Sequence, residues 1–180
     1  MKILKWIIIV LASILIIWLV AAALVSGEFK YEKSISINAP AEKVWQNTNT
    51  LKAMDQWSPW NDIDLKMRKD WSGTTGQPGE KMCWESKNDN AGKGCQEVKK
   101  VDTAGKRIDT SIQFLAPYQS SADTYVTVIP EAGGSKATWG FVSQIPYPFT
   151  LMKLFMNMDG AIGKDYQKGL SRLKEISEKP

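Results

Sequence analysis

Residues 6–25 (WIIIVLASILIIWLVAAALV) form an apolar run of 20 residues that carries no charge and is broken only by Ser13. About 20 apolar residues in a helix match the ~30 Å hydrocarbon core of a bilayer. No polar stripe runs along the segment, which argues against a helix packed on a soluble core. The reading is therefore an N-terminal transmembrane anchor over residues 1–27, with one soluble domain over residues 28–180. A cleaved signal peptide is the alternative, with Ala21-Ala22-Ala23 as its cleavage site. The apolar core of such a peptide is usually about 7–15 residues, shorter than this run.

Flanking charge sets the expected orientation. Lys2, Lys5 and the terminal amine lie before the run with no acid among them, whereas Lys30 and Lys33 follow it beside Glu28 and Glu32. The short basic flank favours a cytoplasmic N-terminus, so a single-pass cell-membrane protein with a periplasmic or other extracytoplasmic domain is expected. Residues 28–180 hold all 19 acids and 21 of the 23 basic residues, a near-neutral +2. This balance, without a basic-aromatic cluster, gives no reason to expect a nucleic-acid partner. The chain contains no histidine, which excludes Ser-His-Asp and Cys-His catalysis, His-ligated zinc and a histidine pH switch.

The soluble part alternates in steps of two. Phe29, Tyr31, Ile35 and Ile37 share one face of a strand, and Ala39-Pro40-Ala41-Glu42 then opens a short helix bearing Val44 and Trp45. Residues 51–56 suggest a second short helix, ending at Trp57-Ser58-Pro59-Trp60. Six further strands are expected, around residues 63–71, 80–86, 94–101, 108–114, 122–128 and 137–141, with turn signals between them. After Pro146 and Pro148 the period changes. Leu151, Leu154, Phe155, Met158, Ile162, Tyr166, Leu170, Leu173 and Ile176 fall in steps of three and four. They predict one long amphipathic helix over residues 150–176, roughly 40 Å if continuous, weakened locally at Gly160 and Gly163. This order fits an α+β fold: a curved antiparallel sheet of about seven strands, with the C-terminal helix across its inner face.

The stretch Ile35-Ser36-Ile37-Asn38-Ala39-Pro40-Ala41-Glu42-Lys43-Val44-Trp45 resembles the opening of START-like (SRPBCC) proteins, and most closely the polyketide cyclase/dehydrase and lipid-transport group. Trp57-Ser58-Pro59-Trp60, Gly92-Lys93-Gly94, the segment 155–159 (FMNMD), Gly163-Lys164-Asp165 and Gly169-Leu170 fit the same group, so the resemblance spans about residues 29–177. It implies a helix-grip fold whose sheet wraps the C-terminal helix around a cavity for lipids, sterols, polyketides or other apolar molecules. Met54 stands where the group's pattern carries Trp, and Cys83 and Cys95 are not part of that pattern.

If residues 87–93 close a hairpin centred on Asp89, Cys83 lies opposite Cys95. A cross-strand disulfide fits that placement and an oxidising compartment, and two separate free thiols are the alternative. Two soft ligands without histidine do not make a metal site. Trp57, Trp60, Trp84, Phe114, Trp139, Phe141, Phe155 and Met158 are the expected ligand-binding set, with core filling as the competing reading. Trp71 and the methionines at 152 and 156 belong to the same apolar inventory. Asp159, beside the apolar stripe of the long helix, and Asp109, in a strand, are the carboxylates to consider for general acid-base work. No catalytic pair can be assembled from spacing, so no catalytic residue and no cofactor are assigned. The expectation is a membrane-anchored domain that binds a lipid or other hydrophobic small molecule in an internal cavity. A cyclase or hydrolase using a cavity carboxylate, and a ligand-free envelope interaction module, are the alternatives.

Overall fold

The computed structural model describes residues 2–179; the terminal amine counted in the basic flank lies outside them. In chain order the elements are α1 (Lys2–Leu24), β1 (Glu28–Ile37), α2 (Ala41–Gln46), α3 (Leu51–Asp55), β2 (Arg68–Ser72), β3 (Lys81–Glu85), β4 (Lys93–Asp102), β5 (Arg107–Ala116), β6 (Ser120–Glu131), β7 (Gly134–Gln144), α4 (Met158–Ala161) and α5 (Gly163–Glu178). Two 3-10 segments, Pro59–Asp62 and Thr150–Leu154, interrupt the loops. The chain divides into two compact units, one of residues 30–142 with the segment from Met158 onward, the other of the segment through Phe29 with Ser143–Asn157.

The larger unit is built on a seven-stranded antiparallel sheet of order β1-β7-β6-β5-β4-β3-β2. Six strands form a meander of consecutive hairpins, and β1 joins beside the last of them, β7. The period-two pattern explains which side is covered. Val98, Ile108, Val126, Val128, Ala137 and Trp139 are buried on the inner face and cluster with Leu170 and Leu173 of α5. Ile37 of β1, Val44 and Trp45 of α2, Leu51 and Met54 of α3, and Trp57 complete that core. Thr50 caps α3 by accepting the Ala53 N–H at 3.0 Å. Gly169 sits where α5 meets the sheet: a Cβ there would stand 2.8 Å from the Trp139 ring and 3.1 Å from Pro59 Cδ. Together these features give the helix-grip arrangement, with β3 and β4 additionally joined by the disulfide Cys83–Cys95 at directly paired positions.

Two expected elements are corrected. The strand expected over residues 63–71 is confined to Arg68–Ser72, because Asp64 folds the preceding residues into a turn by accepting the Lys66 N–H at 2.9 Å. The helix expected over residues 150–176 is divided into the 3-10 segment Thr150–Leu154, a single turn at Met158–Ala161, and α5. Gly160 and Gly163 each weaken a helix by up to about 1 kcal/mol, and Asn157 and Asp159 favour helix starts over helix interiors. Ile162, at φ −127°, breaks the helical path between α4 and α5.

The smaller unit joins α1 to Ser143–Asn157. Within it, Ile145 N–H donates to Gly27 O at 2.9 Å, the Trp18 indole N–H to Pro148 O at 3.1 Å, and the Thr150 hydroxyl to Ala22 O at 2.6 Å. A side chain on Gly27 would collide with Ile145 O, which explains the glycine. Residues Ile3–Leu24 make a helix long and apolar enough to cross a membrane.

Candidate functional site

The larger unit contains a cavity of about 360 Å³. Its apolar walls come from several places in the chain: residues 51–60 supply Leu51, Met54, Trp57 and Trp60; β3 supplies Met82 and Trp84; β5 and β7 supply Ile112, Phe114, Trp139 and Phe141; and the C-terminal segment supplies Met158, Ile162 and Tyr166. These positions share one sheet face because each strand alternates, and β5 and β7 contribute residues two apart in sequence.

Aromatic packing shapes the cavity wall. Trp57 and Trp60 meet Trp139 edge-on, at centroid distances of 4.8 and 5.0 Å, and Trp139 stacks on Tyr166 at 4.4 Å. Trp84 and Phe114 form a second edge-on pair at 5.8 Å. Two indole N–H groups are satisfied by backbone carbonyls, Trp57 on Asn47 O at 2.9 Å and Trp84 on Ala91 O at 3.0 Å. Those rings therefore carry no unmade hydrogen bond to the site.

Polar groups are few and grouped. Lys69 Nζ donates to Asp55 Oδ1 at 2.6 Å and to Asn61 Oδ1 at 2.7 Å, and Asn61 Nδ2 donates to Asp55 O at 2.7 Å. All three line the cavity. On the sheet, Gln96 Nε2 donates to Thr110 Oγ1 at 2.9 Å, and the Thr110 and Thr124 hydroxyls are 2.6 Å apart. The result is an apolar chamber with a polar triad at one wall and a hydroxyl–amide ladder at another.

Of the residues singled out from the sequence, Trp57, Trp60, Trp84, Phe114, Trp139, Phe141 and Met158 line this cavity. Phe155 does not: it belongs to the smaller unit and is 80% exposed. The chain leaves the helical path between Leu154 and Met158. Met54 lines the cavity and is buried, so its smaller side chain occupies wall area that a Trp would fill. Asp159 is exposed rather than directed inward, bound by Lys33 at 2.9 Å and by the Tyr31 hydroxyl at 2.8 Å. Those two partners, Lys33 first, hold its carboxyl below the usual carboxylate range, the opposite of what a general acid requires. Asp109 is engaged by Arg107 at 2.5 Å. Burial, and then Asp159, push the Tyr31 phenol up to about 12, and burial raises Tyr166 as well.

The triad of Asp55, Asn61 and Lys69 escaped the sequence reading. Asp55 closes a five-residue helix and Lys69 lies in an edge strand 14 positions later, a separation that no helical or strand period connects.

Residues 28–178 match the profile of the polyketide cyclase / dehydrase and lipid transport family. The chain belongs to that family. Comparison with curated proteins returns no match. Among solved structures, the crystal structure of Ara h 8.0201 is similar at a TM-score of 0.59 and 14% identity, covering 84% of this chain and 98% of that one. A Thermobifida fusca protein solved by NMR is similar at a TM-score of 0.59 and 17% identity, covering 82% and 92%. The di-domain ARO/CYC protein BexL of the BE-7585A biosynthetic pathway is similar at a TM-score of 0.58 and 13% identity, covering 86% of this chain and 51% of BexL. At these identities the likeness is one of fold. The polyketide cyclase/dehydrase and lipid transport domain described here thus pairs the family's sheet and α5 with an apolar helix at its N-terminus.

Proposed function

We propose that this protein is a membrane-tethered binding domain that holds a lipid or other hydrophobic small molecule carrying one polar group. The observation that supports this reading is the composition of the ~360 Å³ cavity, in which aromatic and methionine walls surround the charged Asp55–Asn61–Lys69 corner. Ligand sites of this kind are concave, mostly apolar and oriented by a few placed polar groups. Flexible Met54, Met82 and Met158 side chains let the walls adapt to an irregular apolar body.

On this reading residues 1–27 are the anchor and residues 28–180 the binding domain. The basic N-terminal flank and the Cys83–Cys95 disulfide support a domain held outside the cytoplasm, since disulfides persist in oxidising compartments. The tether places the cavity's ligand supply in or near the membrane. Native mass spectrometry of the full chain, extracted from membranes in mild detergent, tests the reading: a co-purified apolar molecule is expected at one per chain. A bare mass, together with no competition between long-chain fatty acids and a fluorescent apolar dye, would overturn it.

The catalytic alternative rests on Asp55, the carboxylate among the cavity-lining residues. Its Oδ1 is engaged by Lys69, so a water-activating role would require that ion pair to open. Chemical conversion of a bound molecule by the native protein, lost in Asp55→Asn, would favour that alternative over simple binding.

A further inference from the structure

The smaller unit carries an apolar surface that neither the cavity nor the anchor helix explains. Residues 146–156 (PYPFTLMKLFM) contain one charge, Lys153. Tyr147, Phe149, Met152, Leu154, Phe155 and Met156 are all substantially exposed, Phe155 the most. The backbone of this segment satisfies itself through successive tight turns, Phe149 N–H to Pro146 O, Met152 N–H to Phe149 O, and Phe155 N–H to Met152 O. A self-bonded backbone with outward apolar side chains tolerates removal from water.

Its position fixes what can cover it. Within this unit the segment is attached to the C-terminal turns of α1 through Trp18–Pro148 and Thr150–Ala22. Trp18 lies six residues before the end of α1 at Leu24, about 9 Å along a helix axis. If α1 spans the bilayer, Pro148 therefore sits about 9 Å inside the helix exit, within the ~30 Å hydrocarbon core. Lys153 points back along the exit, to Ser26 O and Glu28 O, as expected of a cation that reaches for the aqueous side.

We propose that residues 146–156 form a second membrane contact, a short wedge that enters the bilayer beside the last turns of α1. The occupant of the exposed face is the bilayer itself, because the same unit already holds a helix that demands one. This inference rests on reading α1 as an uncleaved anchor, and its test separates the two.

The full chain is reconstituted into vesicles of phosphatidylcholine and phosphatidylglycerol, bearing one environment-sensitive fluorophore on Phe155→Cys, on Leu154→Cys, or on Leu11→Cys within α1. The native cysteines are paired, so the new thiol takes the label. Emission from position 155 or 154 is expected to shift to the blue and to be quenched by lipids brominated along their chains. Position 11 should be quenched by the same lipids. Quenching at 11 without quenching at either 154 or 155 overturns the wedge and leaves the anchor standing. No quenching at 11 overturns the anchor and the wedge with it. A blue shift at 155 that follows protein concentration, and not the brominated lipid, would assign the face to a second copy of the chain and also overturn the wedge.

Discussion

The Trp139 indole lies nearly parallel to the Tyr166 ring, 20° from coplanar with centroids 4.4 Å apart. This stack joins β7 to α5, and both rings also line the cavity. One contact therefore closes the core on one side and shapes the ligand wall on the other. Trp139→Ala is expected to lower stability by about 3–5 kcal/mol, the range for removing a large buried aromatic, and Trp139→Phe by clearly less. Urea unfolding of the full chain in detergent, followed by the remaining tryptophans, measures both.

The same junction depends on Gly169. Alanine is favoured over glycine in a helix by about 1 kcal/mol, so propensity alone predicts that Gly169→Ala stabilises. Packing opposes it: the new Cβ would stand 2.8 Å from a Trp139 ring that is itself held by Trp57, Trp60 and Tyr166. Overpacking of a constrained core costs about 1–3 kcal/mol, so a net loss of stability is expected. A thermal midpoint at or above the parent's would show that α5 can slide to make room.

Tyr31, Lys33 and Asp159 make a pH-dependent clasp between β1 and α4. The Asp159 carboxyl is held below its ordinary range, so its contribution is present at neutral pH and is lost as pH falls through the carboxylate range, near 4. Tyr31 is raised to about 12, so its contribution is complete below about pH 10 and is lost as pH rises toward 12. The stability gap between parent and Asp159→Asn should therefore narrow on acidification. Tyr31→Phe should gain on the parent as pH rises past about 10. A gap to Asp159→Asn that stays constant from neutral to acid pH would show that the charge on Asp159 contributes nothing.

How far these features can be read from the sequence depends on whether a local period reports them. Val126, Val128, Ala137 and Trp139 are legible as inward residues because they recur at steps of two along β6 and β7. The register of β3 on β4 is legible because the loop's symmetry about Asp89 sets Cys83 opposite Cys95. Phe155 is different. Steps of three and four show that residues are apolar at helical spacing, but not whether a core covers them, and Leu154 and Phe155 continue the α5 pattern while facing outward. Tyr31 and Asp159, 128 positions apart, meet only because β1 pairs with the last strand of the meander and α4 precedes α5. The Asp55–Lys69 pair is hidden for the same reason, since it forms by tertiary convergence.

The disulfide offers a prediction that is independent of the cavity. It closes a loop of sequence separation 12, for which restriction of the unfolded chain contributes about 2–3 kcal/mol. The double substitution Cys83→Ser and Cys95→Ser should lower stability by that amount and leave dye binding unchanged, because Cys83 and Cys95 are not among the cavity-lining residues. Unfolding and dye titration on the same samples check both halves.

Filling the cavity separates a binding site from a slack core. Ala122 lines the chamber from β6, opposite Ile112 of β5 in the strand register. Ala122→Phe places a ring into the open volume with no polar group to bury. If the chamber exists to hold a ligand, dye affinity and any co-purified molecule should be lost while the thermal midpoint is kept or raised. If the space is closed by side-chain movement in solution, the added ring overpacks the site and stability should fall by about 1–3 kcal/mol. Lys69→Met tests the polar corner by comparison. It leaves Asp55 and Asn61 without their shared donor, so a ligand bound through a polar head should weaken while an entirely apolar dye still enters. Equal retention of both ligands would remove the triad from the site.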